Sequence, residues 1–511
     1  MGTINFFCFY FSQLSNFLYI KFLWSTFKQG NSFRLNYHNT LQNLQFSNSS
    51  QHYFFYQIKN QSQKIKQINF SKLTDMQKDI CIIGGGIIGA TIARSLSAKF
   101  PQLKIALIEK EKTLGEHTST RNSSVIHSGL YYSTDSLKAK FCKQGNMQLT
   151  QYCIDNKLPL KHTGKFVIAS TDEEYERLKE LRQQAEKNQI EYQWLTYNEA
   201  IKIEKNLKMH NPNYNFLFTP TTKVSNNKAV INCLEQELKG QKNVEIFSQY
   251  EFVKLVEQTK SSNKFVIKNR KLDQEEIFES RYIINSAGLY ADIIAKQFNY
   301  CKDYTIMPFK GNYLVDKKKY PEGVVNSLIY PIPPKKGNYF LGVHLTCTVN
   351  DQIKFGPNAI PALYREEYGD KPIHQWSKKE FQEFQSLSYQ YMMNLFSPKC
   401  MFYLKHLYEE SKKYYKPYVI KQSQKLFTLY DQKPLNWLSF PQNVSNEFEP
   451  GKPGIRAQLV DLKTRELIND FIIEKDNLSM HLLNVVSPGW TCSMPIADHV
   501  SELVKNTENL F

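Results

Sequence analysis

A chain of 511 residues, 41% hydrophobic and 14% aromatic, is long enough to bury a large core and to hold two or three domains. Its net charge of +17 is uneven: seven of the 65 Lys and Arg, and none of the 48 Asp and Glu, precede position 75. No basic run interleaved with aromatics marks a nucleic-acid surface, and nine scattered cysteines without a Cys-x-x-Cys suggest neither a zinc site nor a disulfide framework, so a reducing compartment fits.

Residues 1–77 are free of acid until Asp75, sparsely basic, and rich in Ser, Asn, Gln and aromatics. That is the composition of an organelle transit peptide, a mitochondrial presequence first of all; an untranslated extension is the alternative. Ser12, Gln13, Ser15, Asn16 and Lys21 break the early apolar run, which argues against a transmembrane helix. The first strong element follows. Asp79–Ile83 reads as a short buried strand, Gly84, Gly86 and Gly89 fall at GxGxxG spacing, Ala90–Lys99 has a helical period, and Lys104–Ile108 is a second strand ending in Glu109. Strand, glycine turn, helix, strand and acid in this order make a dinucleotide site. Gly84 permits the turn, Gly86 lets backbone approach a pyrophosphate, Gly89 lets helix pack on strand, and the helix N-terminus faces the phosphates. Glu109 can accept ribose hydroxyls and would repel a 2′-phosphate, which disfavours NADP.

Lys110–Gly115 reads as a loop, and Thr118–Tyr132 gathers small, polar and aromatic residues. Asp135 can cap a helix running from Ser136 to Cys153. Thr163–Ala169 reads as a strand, and Thr171 with Glu174 forms a capping box before an amphipathic helix carrying Tyr175, Leu178 and Leu181 on its apolar side. Residues 243–256 and 263–268 alternate like the strands of a hairpin. Arg281–Asp292 is a strand, a small-residue turn and a helix start, so two strand-to-helix turns could meet one ligand. Residues 305–358 read as strands punctuated by Gly311, Pro331, Pro333, Gly337, Gly342 and Gly356. Residues 376–430 read as helical and aromatic, Pro434–Pro450 as loop, and the chain ends in strand, turn and helix over 482–504.

Taken together, Gly84–Gly89, Asn122–Tyr132, Leu137–Lys140, Ser286–Asp292, Pro308–Gly311, Tyr330–Pro333, Leu341–His344, Gly356–Ala359, Gly454–Gln458 and Asn484–Pro488 resemble the L-2-hydroxyglutarate dehydrogenase family. That family belongs to the FAD-dependent oxidoreductases of the D-amino-acid-oxidase and glycine-oxidase type. The resemblance spans about 78–505 and thins over 365–450. It implies FAD, a mitochondrial location in eukaryotes, oxidation of the small dicarboxylate L-2-hydroxyglutarate, and a membrane-linked electron acceptor. It also implies an α/β fold with a Rossmann-like FAD-binding domain and a second domain built on a mixed antiparallel sheet. The FAD-binding domain is then assembled from residues 78–165, 216–307 and 451–511, and the substrate domain from 166–215 and 308–450. By position, Gly84, Gly86, Gly89, Glu109 and Lys110 match the ADP cradle, Asn122 and Ser123 the segment reaching the flavin, Gly288 and Asp292 the second cofactor motif, and Gly454, Arg456, Ser487 and Thr491 the flavin cover. The chain departs from the family in three places. Thr120-Arg-Asn-Ser-Ser124 replaces Gly-His-Asn-Ser-Gly, Lys310 stands where the family has Arg, and Ser487-Pro-Gly-Trp-Thr-Cys492 replaces Ser-Pro-Ala-Ala-Thr-Ser.

Oxidising a 2-hydroxy acid needs a base for the hydroxyl proton and counter-charge for the carboxylates. His127, in its Gly/Ser-rich loop, is the candidate base, against the alternative of a histidine bonded to flavin or backbone. His344 is the rival. Lys310, Tyr330 and Arg456 are candidate carboxylate partners, with Tyr313 a further possibility; Lys310 loses the bidentate fork of Arg. Nothing in the sequence supports a metal or a nucleophilic triad. The rival readings are a relative of the same fold acting on an amine or on glycerol 3-phosphate, and a non-catalytic flavin-fold binding protein.

Overall fold

The computed structural model describes residues 77–321, 323–333, 342–431, 447–508 and 510. The expected presequence, but for Gln77, and residues 434–446 of the expected loop lie outside the described residues, as do Gly337 and Leu341.

The strand Gln77–Ile83 is central because both its faces are apolar. Ile80 and Ile82 project into one core layer with the helices Ile87–Lys99, Leu137–Asp155, Asn227–Lys239 and Ser493–Lys505, while Cys81 and Ile83 project into another with Phe252, Phe265 and Phe278. A strand covered on two sides must read as an unbroken apolar run, and this one does. It pairs in parallel with Ile105–Glu109 on one side and Gln274–Asn285 on the other. Val244–Ser248 extends the sheet past Ile105–Glu109, and Ser479–Leu483 extends it past Gln274–Asn285, both in parallel. An antiparallel meander, Tyr250–Gln258, Asn263–Asn269 and Gln274–Asn285, covers the second face. This is the expected Rossmann-like α/β architecture.

Two local expectations are corrected here. The stretch 243–256 is not one arm of a hairpin: Gln249, at φ +64°, breaks it into a parallel strand that ends at Ser248 and a meander strand that begins at Tyr250. The helix expected from Ser136 is capped by Ser136 itself, whose hydroxyl accepts the Ala139 N–H at 3.1 Å, and not by Asp135.

The second sheet has eight strands in the order Phe448–Pro450, Leu314–Lys319, Gln352–Gly356, His344–Cys347, Leu328–Pro331, Lys165–Ile168, Phe216–Thr219 and Gln193–Leu195. All neighbours are antiparallel except Leu328–Pro331 with Lys165–Ile168. Residues 376–430 are helical as expected, in Lys378–Leu395, Cys400–Lys412 and Lys416–Gln424. A long ladder outside both sheets, Tyr304–Gly311 against Gly454–Asp461, pairs residue for residue from Tyr304↔Asp461 to Gly311↔Gly454. It brings the last part of the chain against the start of the second sheet. No helix among the described residues is long and apolar enough to cross a membrane.

Candidate active site

The glycine turn forms because Gly84, at φ +102°, occupies backbone space closed to other residues, and a Cβ there would lie 2.7 Å from the Ser286 carbonyl oxygen. Gly89 touches the same turn: its Cβ would fall 1.9 Å from the Gly84 carbonyl oxygen. The second strand-to-helix turn packs directly on the first, for the Ser286 N–H donates to Ile83 O at 2.9 Å and its hydroxyl to Gly84 O at 3.1 Å. The tail closes on both. Gly454 lies against Arg121 O, the Thr118 hydroxyl donates to Ile455 O at 2.9 Å, and Thr491 Oγ1 accepts the His127 N–H at 3.0 Å.

These segments surround one cavity of about 1840 Å³. That exceeds the ~300–1,000 Å³ of an ordinary small-ligand pocket and leaves room for a dinucleotide together with a substrate. Gly84, Gly86, Glu109, Lys110, Asn122, Ser123, His127, Gly288, Tyr330, His344, Gly454, Arg456 and Ser487 all line it. The residues present fit FAD. A Cβ at Gly86 would meet only the Ser119 hydroxyl, at 3.1 Å, and one at Gly288 would meet nothing within 4 Å, so bare backbone faces the cavity where a pyrophosphate needs close approach. Glu109 accepts the Gly85 and Glu111 N–H groups, each at 2.8 Å, which fixes its carboxylate at the rim of that cradle.

Four expected site residues lie off the cavity wall. Gly89 serves helix packing. Thr491 holds the backbone of His127. Asp292 is buried in a bidentate pair with Arg365, at 2.8 and 2.9 Å, and also accepts the Ile306 N–H at 2.9 Å. Burial alone would raise its carboxyl, and Arg365 with the amide outweighs that and holds it below its ordinary value. Lys310 is the fourth. In the strand Tyr304–Gly311, Phe309 and Gly311 face the cavity, so the alternation sends Lys310 the other way, to Glu367 at 3.7 Å and Asp370 at 3.4 Å. Arg456, half-buried and paired across the ladder with Phe309, is a cation on the wall. Burial lowers its guanidinium only to about 10, so it stays charged at neutral pH.

His344 is buried and His127 half-buried, and both are neutral. Burial lowers His127 to about 3 and His344 to about 4, with the Lys165 ammonium adding to both. His344 stacks on Tyr330 with ring centroids 4.0 Å apart, and its Nδ1 lies 3.0 Å from the Gly342 carbonyl oxygen. A carbonyl accepts only from a protonated nitrogen, so Nε2 carries the lone pair. The Nδ1 of His127 is buried with no hydrogen-bond partner among the described residues.

Two lysines escaped the sequence reading. Lys165 is wholly buried, its ammonium 4.3 Å from the Tyr131 ring centre and 5.4 Å from that of Tyr330, and burial lowers it to about 7. Lys138 is 6% exposed and lines the cavity. Each had a signal: Lys165 opens an otherwise apolar strand, and Lys138 shares a helical face with Phe141, Cys142, Gly145 and Leu149. At the rim, Glu111, His117 and Glu366 could offer three ligand atoms to a cation, but Lys110 and Arg270 pair with the two carboxylates and would repel a metal ion.

Residues 79–398 match the FAD dependent oxidoreductase family. Over 83% of its length the chain is 32% identical to the mitochondrial L-2-hydroxyglutarate dehydrogenase of Caenorhabditis briggsae, covering 92% of that protein. The chain belongs to the L-2-hydroxyglutarate dehydrogenase family of FAD-dependent oxidoreductases. The human mitochondrial member is 31% identical, with 84% of this chain and 88% of that one covered, and the Escherichia coli K12 member 30%, with 84% and 93% covered. Among solved structures, the FAD-bound L-alpha-glycerophosphate oxidase of Mycoplasma pneumoniae shares the fold, at TM-score 0.61 and 24% identity over 84% of this chain and 95% of that one. Glycine oxidase of Geobacillus kaustophilus does so at 0.59 and 14%, over 85% and 96%. Membership in this dehydrogenase family makes the chain an FAD-dependent enzyme acting on a CH–OH donor, with FAD as its cofactor.

Proposed function

We propose that the chain oxidises L-2-hydroxyglutarate to 2-oxoglutarate at this cavity. The observation that carries the reading is a half-buried, charged Arg456 on the same wall as two neutral imidazoles and the glycine cradle. Gly84, Gly86, Glu109, Lys110 and Gly288 hold the nucleotide half of the cofactor, and Asn122, Ser123, Gly454 and Ser487 its ring half. Arg456 takes the C1 carboxylate through its planar fork and turns C2 toward the ring. The hydroxyl proton passes to His344 Nε2 or His127 Nδ1, each with a free lone pair, and the negative charge of the bound substrate raises the basicity that burial lowers. FAD held by these residues would supply the two-electron acceptor for the C2 hydrogen and its bonding pair, leaving the C2–O bond as the carbonyl of the product. The burial that excludes water also keeps the imidazoles unprotonated.

Electrons leave to a membrane-linked acceptor in this reading. Among the described residues, eleven of the seventeen exposed large apolar side chains lie between Ile373 and Tyr415, including Phe396, Met401, Leu404 and Tyr408. An apolar helical surface of this kind, with Lys405 and Lys416 nearby, suits an anionic lipid face. The mitochondrial location rests on the acid-free first 74 residues and on the eukaryotic relatives.

Anaerobic titration of the purified flavoprotein with L- and D-2-hydroxyglutarate tests the reading. Bleaching of the flavin by the L isomer alone is expected. Reduction by glycerol 3-phosphate or an amino acid and not by hydroxyglutarate would replace it with a sister activity. In the same assay, His344→Asn and His127→Asn identify the base, whose loss is expected to slow reduction by about 10²–10⁴-fold.

A further inference from the structure

Lys138 occupies a place that is unfavourable three times over. It is only 6% exposed. It sits in the first turn of the helix Leu137–Asp155, a turn without acidic residues, where the positive end of the helix dipole repels a cation. It also stands close enough to Arg456 for the two charges to repel, which together with burial brings its ammonium down to about 7. The neighbouring carboxylate of Asp470 attracts it but makes no hydrogen bond to it, and the attraction does not offset burial and Arg456. Asp470 is engaged by backbone: its oxygens accept the N–H groups of Leu137 at 2.7 Å, Lys138 at 3.1 Å and Phe471 at 2.9 Å. The Lys138 ammonium makes no hydrogen bond or ion pair among the described residues and lies 5.5 Å from the Phe471 ring centre. A buried cation costs several kcal/mol unless an anion meets it. Both Lys138 and Arg456 line the same cavity.

We propose that Lys138 holds the second carboxylate of the substrate, so that Arg456 and Lys138 together select a dicarboxylate 2-hydroxy acid over a monocarboxylate of equal length. This rests on the hydroxy-acid oxidation proposed above. The C1 carboxylate meets the fork of Arg456, and the far carboxylate meets the point charge of Lys138, which lacks the second donor of a fork and so tolerates some variation in chain length. With the substrate in place, the repulsion between the two cations becomes attraction to one dianion.

The test compares anaerobic flavin reduction of the holoenzyme by L-2-hydroxyglutarate and by L-2-hydroxypentanoate, which carries a methyl group in place of the second carboxylate. In Lys138→Met, kcat/KM for hydroxyglutarate is expected to fall by about 10–100-fold, chiefly through KM, as for a lost hydrogen bond to a charged group. The value for hydroxypentanoate should stay within about threefold, and Lys138→Arg should restore most of the loss. Equal losses on both substrates, or none on either, would overturn the proposal. Loss of flavin from the Met and Arg variants alike would overturn it too, by assigning Lys138 to the cofactor. A wild-type enzyme reduced by neither acid would instead remove the parent reading.

Discussion

Arg456 and Lys310 are adjacent cations on paired strands, and their side chains serve opposite ends. Arg456 faces the cavity; Lys310 faces Glu367 and Asp370. Replacing Arg456 by Met should lower kcat/KM for the hydroxy acid by about a hundredfold, the value of a charged hydrogen-bonding partner. Lys310→Met should leave KM within about threefold and show instead as a lower denaturation midpoint, because it takes from the half-buried Glu367 the buried cation it faces. Steady-state kinetics and chemical denaturation on the two variants separate these effects. Ser124 offers a gain. It stands where the family has glycine, and its φ of +61° is the left-handed conformation that glycine adopts freely. Ser124→Gly should raise stability by about 0.5 kcal/mol, the relief of strain less the extra freedom of the unfolded chain, measurable as a shift in denaturant midpoint.

At the level of elements, the first strand, helix and second strand were legible in the sequence because three constraints coincide there. A two-sided strand needs an unbroken apolar run, the turn needs Gly84, and the helix needs Gly89 to come near it. Gly89→Ala should therefore cost about 2–3 kcal/mol as overpacking and release flavin, which retention on gel filtration reports. Other features were hidden for definite reasons. A one-residue shift of register exchanges the faces of a strand, and nothing in Pro308–Gly311 itself tells which face Lys310 takes. Asp135 and Ser136 are both competent caps, so only the hydrogen bond to Ala139 decides between them. The break at Gln249 depends on the sheet edge it must leave. Lys138 was readable from the helical period, yet a lysine on an apolar helix face is easily passed over as one whose stem is buried and whose head reaches water.

At the scale of the whole molecule, burial of imidazoles ties stability to acidity. His127 is lowered to about 3, and His344, His406 and His481 each to about 4, by desolvation above all. The unfolded chain takes up these protons near pH 6.5 and the folded chain does not until pH 3–4. Stability is therefore full above about pH 6.5 and falls as the pH drops toward 4, by several kcal/mol. Denaturant titrations at pH 7.5 and 5 should show that loss, while the rate of flavin reduction at pH 6 remains near its value at pH 7.5, since the base is still unprotonated. The ladder between Tyr304–Gly311 and Gly454–Asp461 has a different consequence, one of timing. A ribosome delivers the glycine turn long before the Arg456 wall. Until that closing strand emerges the cleft lacks one wall, so a product cut short at residue 450 is expected to accumulate without colour.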